Sequence, residues 1–423
     1  MKNGLACTFL LMITLLTGAA VRAQVQLNVA TGTSGQDLEL LQAGVDRFMI
    51  ANPDILVRVL LMPELTDDRL TVLRNFFEVG TPEVDVLQLD SVWTQELAPH
   101  LVDLSGLPGA AASDPYLREV LTVDGRLVSM PWFVTRGVLF YRKDLLDRHG
   151  FAPPATWSEL ERMARTIQAA ERSGNPDFWG YLWQGGSYEG LTVNALEWWS
   201  SVGAGSLIEP PGLITVNNPA AVQMLERARG WIGDISPPAV LGYDEGDARD
   251  EFLAGNAAFM RNWQNIVARL RTEPQLEGRF GLAPLPGNPP TGLYGGAGLA
   301  VSAYSLHRAE ALRLVGFLTG EDEQIRAAVD GARIPTWPAL YQHPEVLAAL
   351  PFLPELLPRG SADGLRRPLG AARPLWSELS RATYRTVSEV LSGEDEAAPA
   401  LARLAASLQL FTGLPEGAPA PAP

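Results

Sequence analysis

The chain is poor in the residues that carry covalent and metal chemistry. Its 423 residues include one cysteine, Cys7, and four histidines, His100, His149, His307 and His343. A single cysteine excludes a disulfide framework and any thiolate metal cluster. No two histidines share a helix-face or loop spacing suited to a metal, and H-E-x-x-H, G-x-S-x-G and G-x-x-x-x-G-K-S/T are all absent. Positive charge is also scarce: 33 Lys and Arg face 48 Asp and Glu, a net charge of −15. That balance excludes the basic footprint of a nucleic-acid binder and disfavours anionic lipid surfaces. There is no internal repeat, and no later apolar run long enough to span a bilayer.

What is present is an ordinary globular composition, 47% apolar and 19% charged, with 11 tryptophans and 33 prolines beside 40 glycines. Its length predicts two or three compact units. Residues 1–23 read as a cleavable export signal, with Lys2 as a positive start, Leu5 to Leu16 as an apolar core and Val21-Arg22-Ala23 as the cleavage site. Cys7 lies near the start of the apolar stretch, where it cannot serve lipid attachment, and would leave with the signal. The expected product is an exported protein free in the periplasm.

Strand and helix patterns then alternate. Val25 to Thr31, Ile55 to Leu61 and Val84 to Leu89 read as strands, separated by helices over Leu38 to Met49 and Asp67 to Val79. Such alternation predicts a mostly parallel right-handed βαβαβ sheet, whose ligands bind beyond the carboxyl ends of the strands. Asp37, Arg69 and Asp90 sit at those ends. Thr156-Trp157-Ser158-Glu159 is a capping box opening a helix. Ala309 to Leu318 and Glu321 to Val329 read as helices, and Gly255 to Met260 as a strand. Gly292 to Gly298 suggests a hinge or a close backbone approach leading into a strand over Leu299 to Ala303. Residues 413–423 (GLPEGAPAPAP) read as a disordered Pro/Ala tail. Many carboxylate pairs are available for glycoside hydrolysis, but no catalytic set stands out, and a secreted hydrolase remains the enzyme alternative. A receptor for a polyamine or a metal chelate is the non-sugar alternative.

Several stretches carry a family signature: Pro131-Trp132-Phe133-Val134-Thr135-Arg136-Gly137 through Leu146, Asn175 to Gly180, Trp183-Gln184-Gly185-Gly186-Ser187-Tyr188-Glu189-Gly190-Leu191, Gly255 to Trp263, Ala283 to Gly287, and Arg367-Pro368. They resemble family 1 extracellular solute-binding proteins, the sugar receptors of ABC importers, above all the trehalose/maltose-binding branch. The resemblance implies an α/β fold of two lobes, each a mostly parallel sheet flanked by helices, with a ligand cleft between them. The first lobe would comprise 24–133 and about 295–337, the second about 134–294 and 338–412. The hinge strands would lie near Trp132 to Arg136 and Gly295 to Ala303, with a third crossing around Trp337.

The resemblance further implies a monomer without catalysis or cofactor. Its partners would be a sugar, such as trehalose or maltose, and the permease subunits of the transporter. By matching position, Asp37, Arg69 and Asp90 would be polar contacts, Trp263 a stacking platform, Gly296 a backbone contact and Arg367 a late donor. Phe133, Thr135 and Ala297 stand where the branch has a tyrosine, a carboxylate and an indole, so the sugar preference need not carry over. Arg136 either enters the cleft, favouring an acidic or sulfonated glycoside, or points to solvent, as charged side chains generally do. Trp157 is expected in the core. Of Trp198 and Trp199 one is expected inside and the other near the cleft.

Overall fold

The computed structural model describes residues 24–33, 35–287, 291–357, 364–369 and 376–420. The expected export signal, residues 1–23, lies outside the described residues.

The opening pattern folds as its periodicity requires. Strands β1 (Val25–Thr31), β2 (Ile55–Leu61) and β3 (Val86–Asp90) are parallel, with β1 in the middle. The helices Gly35–Ala51 and Thr66–Glu78 make the connections, and Leu41, Val45, Phe48, Leu70, Leu73 and Phe77 turn inward at helical spacing. A two-stranded hairpin, β4 (Thr122–Val123) and β5 (Arg126–Leu127), precedes the strand that organises the molecule, β6 (Met130–Arg142). The second lobe adds β7 (Trp179–Leu182), β8 (Ala257–Trp263) and β9 (Phe280–Ala283), and β10 (Tyr294–Val301) returns to the first.

The 13 residues of β6 belong to both lobes. Met130 to Arg136 pairs antiparallel with β10, which pairs antiparallel with β3. Gly137 to Tyr141 pairs with β8 and Leu139 to Arg142 with β9, both antiparallel. The order β2-β1-β3-β10-β6-β8-β7 therefore runs through one shared strand. The sheet is mixed rather than mostly parallel in each lobe. Strand–helix alternation predicts only the connections that helices make; in the first lobe β10 runs against β3 and β6, and in the second lobe β6 runs against β8 and β9.

The glycine-rich segment does not merely lead into a strand: Gly295, Gly296 and Gly298 lie inside β10. A Cβ on Gly296 would stand 2.3 Å from the Phe133 carbonyl oxygen, and one on Gly298 2.2 Å from Ser129 Oγ. The glycines serve close approach of β10 to β6. The segment Ile334 to Thr336 makes the third contact with β6: Val134 N donates to Ile334 O at 3.1 Å, and Thr336 Oγ1 to Pro131 O at 3.2 Å. Beyond the expected boundary at 337, the helix Pro344–Ala349 still packs on Glu321–Gly331 of the first lobe. The helices Trp376–Ser392 and Ala397–Thr412 join Glu189–Ser201 and Pro219–Trp231 in the second.

Most tryptophans are core. In the second lobe Trp157 and Trp231 have ring centroids 5.1 Å apart, Trp198 and Trp231 5.7 Å, and Trp183 and Trp198 5.0 Å. Trp198 and Trp199 are both buried, so neither reaches the cleft. The helix that carries them is enclosed on all sides, and opposite faces can then both be apolar. The tail is also a correction. Residues 413–420 are docked rather than disordered: Ile214 N donates to Pro415 O at 2.9 Å, Gly417 N to Ile214 O at 3.0 Å, and Ala420 N to Glu209 Oε2 at 3.3 Å. Pro/Ala composition resists helix, yet an extended segment can still complete the backbone hydrogen bonds of a neighbouring loop.

Candidate functional site

Two adjoining cavities, about 160 and 490 Å³, lie where the lobes meet on either side of β6. Thr66, Gln88, Phe133, Glu245 and Trp263 line both, which makes them inner and outer chambers of one cleft. Their walls are the ends of elements. Asp90 closes β3 and Trp263 closes β8, Asp37 and Arg69 lie in the first turns of their helices, and Glu189 and Glu245 are each the first residue of a helix. Helix N-termini favour the carboxylates there.

The inner chamber holds Asp90, Phe133, Thr135, Gly296, Ala297, Trp263 and Arg367, together with Tyr188, Glu189 and Glu245. Asp90 Oδ1 accepts from Val92 N at 3.2 Å, which fixes the carboxylate at the strand end. Arg367 Nε stands 3.0 Å from Glu189 Oε1 in an ion pair whose N–H does not point along the contact. Glu189 also accepts from Trp376 Nε1 at 3.3 Å and from Ser380 Oγ. Burial pushes its carboxyl up to about 7, against the pull of Arg367 and Ser380. Glu245 is gripped twice: Tyr188 OH donates to Oε2 at 2.5 Å and Trp263 Nε1 to Oε1 at 3.1 Å.

Asp37 and Arg69 line the outer chamber. Asp37 already accepts two hydrogen bonds. Its Oδ1 accepts from Arg333 Nε at 2.9 Å and its Oδ2 from Asn265 Nδ2 at 2.9 Å, a hydrogen bond from lobe to lobe. Arg69 is buried over Trp93, 5.1 Å from the ring centroid, and Nη1 donates to the carbonyls of Pro63 and Glu64. Its Nε–H has no hydrogen-bond partner among the described residues. Burial lowers the Arg69 pKa against the pull of Asp90 and Glu64.

Arg136 is the expected residue that the fold removes. It is 3% exposed, lines neither chamber, and packs where a Cβ on Gly292 or Gly364 would stand. Neither the cleft nor solvent receives it. In β6 successive side chains alternate faces, and Phe133 and Thr135 take the cleft side.

Behind the cleft, Arg261 and Glu197 form a fully buried pair, with Nε to Oε2 at 2.9 Å and Nη2 to Oε1 at 2.8 Å. Burial opposes the Arg261 charge, but Glu197 outweighs it and the pKa is raised. The Arg261 guanidinium lies 4.2 Å from the centroid of the Trp263 ring.

Sequence reasoning missed Glu245, Gln88 and Asn265 as cleft residues, and named Tyr188 and Glu189 only within a family stretch. A signal for Glu245 was present: Asp244 and Asp247 form a capping box, with Asp244 Oδ1 accepting from Asp247 N at 2.9 Å. That box places Glu245 at a helix start.

Two α/β lobes joined by crossing strands, with a cleft lined by carboxylates, guanidiniums and one accessible indole, define a two-lobed solute receptor. Residues 32–325 match the model of the bacterial extracellular solute-binding proteins, and the chain belongs to that family. These are binding proteins rather than enzymes. The chain is 40% identical over 410 residues to a probable ABC transporter-binding protein of Deinococcus radiodurans, covering 95% of this chain and 97% of that one. It is 26% identical over 232 residues to the maltodextrin-binding protein MdxE of Bacillus subtilis, 53% of this chain and 54% of that one. Its fold superposes on maltose-bound MalE3 of T. maritima with a TM-score of 0.85 and 32% identity, covering 91% and 99% of the two chains. Among the described residues, no helix is long and apolar enough to cross a membrane.

Proposed function

We propose that this protein captures a glycoside in the cleft, an α-glucoside disaccharide such as maltose or trehalose, and delivers it to the permease of an ABC importer from the periplasm. The observation that carries the reading is Trp263. One face of its ring is covered by Arg261, its edge is fixed by Glu245, and the ring lines both chambers. A pyranose C–H face packs on such an indole at low entropic cost. Its hydroxyls meet carboxylates at Asp90, Glu189 and Glu245 and donors at Arg69 and Arg367, the groups that form charge-assisted bonds with hydroxyls. The maltose held by the MalE3 relative supports the same class of ligand.

Three carboxylates against Arg367 in the inner chamber favour a neutral glycoside over an acidic or sulfonated one. Ligand would stabilise the arrangement in which both lobes contact it, by its differential affinity for that arrangement. Titration calorimetry with maltose, trehalose, spermidine and glucuronides is the test. Heat with the α-glucosides alone supports the reading, and heat with spermidine alone overturns it.

A further inference from the structure

We propose that Arg261 is a positioning residue: with Glu197 it holds the Trp263 ring in register with both strands that cross between the lobes. The inference rests on the glycoside reading of the cleft for its affinity readout only.

Arg261 and Trp263 are two residues apart on β8, so their side chains leave the same face of the strand. The guanidinium carbon lies over the indole, 4.2 Å from the ring centroid, and the group is tied in the other direction to Glu197 by two hydrogen bonds. Arg261 Nη1 adds a third bond, to Gln184 Oε1 at 3.2 Å. Arg261 and Glu197 are each 1% exposed and Gln184 is fully buried. A buried ion pair is often no more stabilising than apolar packing of the same volume, so stability alone is weak grounds for one here. Its geometry supplies a specific reason.

Glu197 Oε1 accepts from Leu293 N at 2.8 Å, at the residue before β10. On the other crossing strand, a Cβ on Gly137 would stand 2.0 Å from Glu197 Oε1 and 2.9 Å from Arg261 Nη2. Gly137 is the residue at which β6 changes partner from β10 to β8. The pair therefore fills the point where β6 and β10 leave one lobe for the other, and its free guanidinium face is the back of the sugar platform. An arginine can do this because its fork bonds in its plane while its face stacks. Lysine keeps the charge and loses both.

The test compares wild type, R261K, W263F and R261K/W263F. Acrylamide quenching of the Trp263 emission, isolated by subtracting the matching W263F spectrum, reads the ring directly. Titration with maltose reads affinity. In R261K the Trp263 component is expected to become about twofold more quenchable and affinity to fall about tenfold, while R261K in the W263F background costs under about threefold, a non-additive cycle. Unchanged quenching, or losses that multiply, would overturn the proposal, since a merely structural role lowers the melting temperature without coupling to Trp263. Should R261K not fold, Q184A removes the third bond, along with the bonds Gln184 makes to Arg261 O and Asn194 Nδ2, while leaving the Arg261–Glu197 pair in place; it is expected to shift quenching in the same direction, and no shift would overturn the proposal. If wild type binds no glycoside, the sugar reading fails, and the quenching comparison still decides the positioning role.

Discussion

Trp263 donates its indole Nε1–H to Glu245 Oε1 at 3.1 Å, joining the last residue of β8 to the first residue of the helix Glu245–Leu253. The bond does two things at once. It satisfies a half-buried donor, and it fixes the one indole that lines both chambers among the described residues. Platform and hydroxyl acceptor are thereby a single fixed unit, preorganised before ligand arrives.

Removing the platform should weaken binding more than any other single change in the cleft. Trp263→Ala is expected to lose about 3 kcal/mol of affinity for the bound glycoside, the range of a central aromatic anchor. Calorimetry with maltose measures it, and a loss below tenfold would show that the ring is not the main contact.

Tyr188→Phe removes one of the two donors on Glu245 without changing shape. A hydrogen bond to a charged group contributes about 1.5–3 kcal/mol to stability, so the melting temperature should fall, and maltose affinity should fall with it as Glu245 loses its fixed position. Parallel titrations and thermal melts separate the two effects.

Glu189 gives the fold a pH dependence of defined sign. Its carboxyl is pushed from 4.5 to about 7 by burial. Between those values the folded chain keeps a proton that the unfolded chain has released. Its contribution is full below pH 4.5, falls as pH rises to about 7 and is level above that. The fall is up to about 3 kcal/mol. Urea unfolding at pH 5 and pH 7.5 should show this loss in wild type and lack it in Glu189→Gln.

Gly296→Ala places a methyl 2.3 Å from a backbone oxygen of β6, which no side-chain rotation relieves. Forcing β10 from β6 should cost about 1–3 kcal/mol, as overpacking does. A thermal melt reads the loss, and unchanged stability would mean that the two strands separate freely.

Asp37 links the lobes through Asn265. Asn265→Ala removes that bond, a change of about 1 kcal/mol. Small-angle scattering without sugar is expected to show a larger radius of gyration than wild type, with the difference shrinking when maltose is added.

Local rules in the sequence reached as far as local causes extend. The capping box at Thr156 and Glu159 forms both of its hydrogen bonds, and the first three strands fall within two residues of where alternation puts them. Asp90, Arg69 and Asp37 could be placed at the sheet edge because a βαβ connection leaves little freedom there. The hydrogen bonds that fix Asp37 there, from Arg333 and Asn265, come from residues 296 and 228 positions away, beyond the reach of local reasoning. The glycines of β10 read as a hinge or a close backbone approach but not as strand, because what fixes them is the neighbouring strand that a side chain would strike.

By itself, the sequence determined the family, the element pattern of the first lobe, the absence of metal and nucleophile motifs and the single indole worth testing. These follow from periodicity, residue type and short-range hydrogen bonding. Only the tertiary structure decided which charges face ligand. Arg136 is buried behind β6, Trp198 and Trp199 are core, and Glu189 and Glu245 become cleft acids, because burial and pairing depend on partners far away in sequence, such as Trp376 and Ser380 for Glu189. Desolvation sets the Glu189 proton.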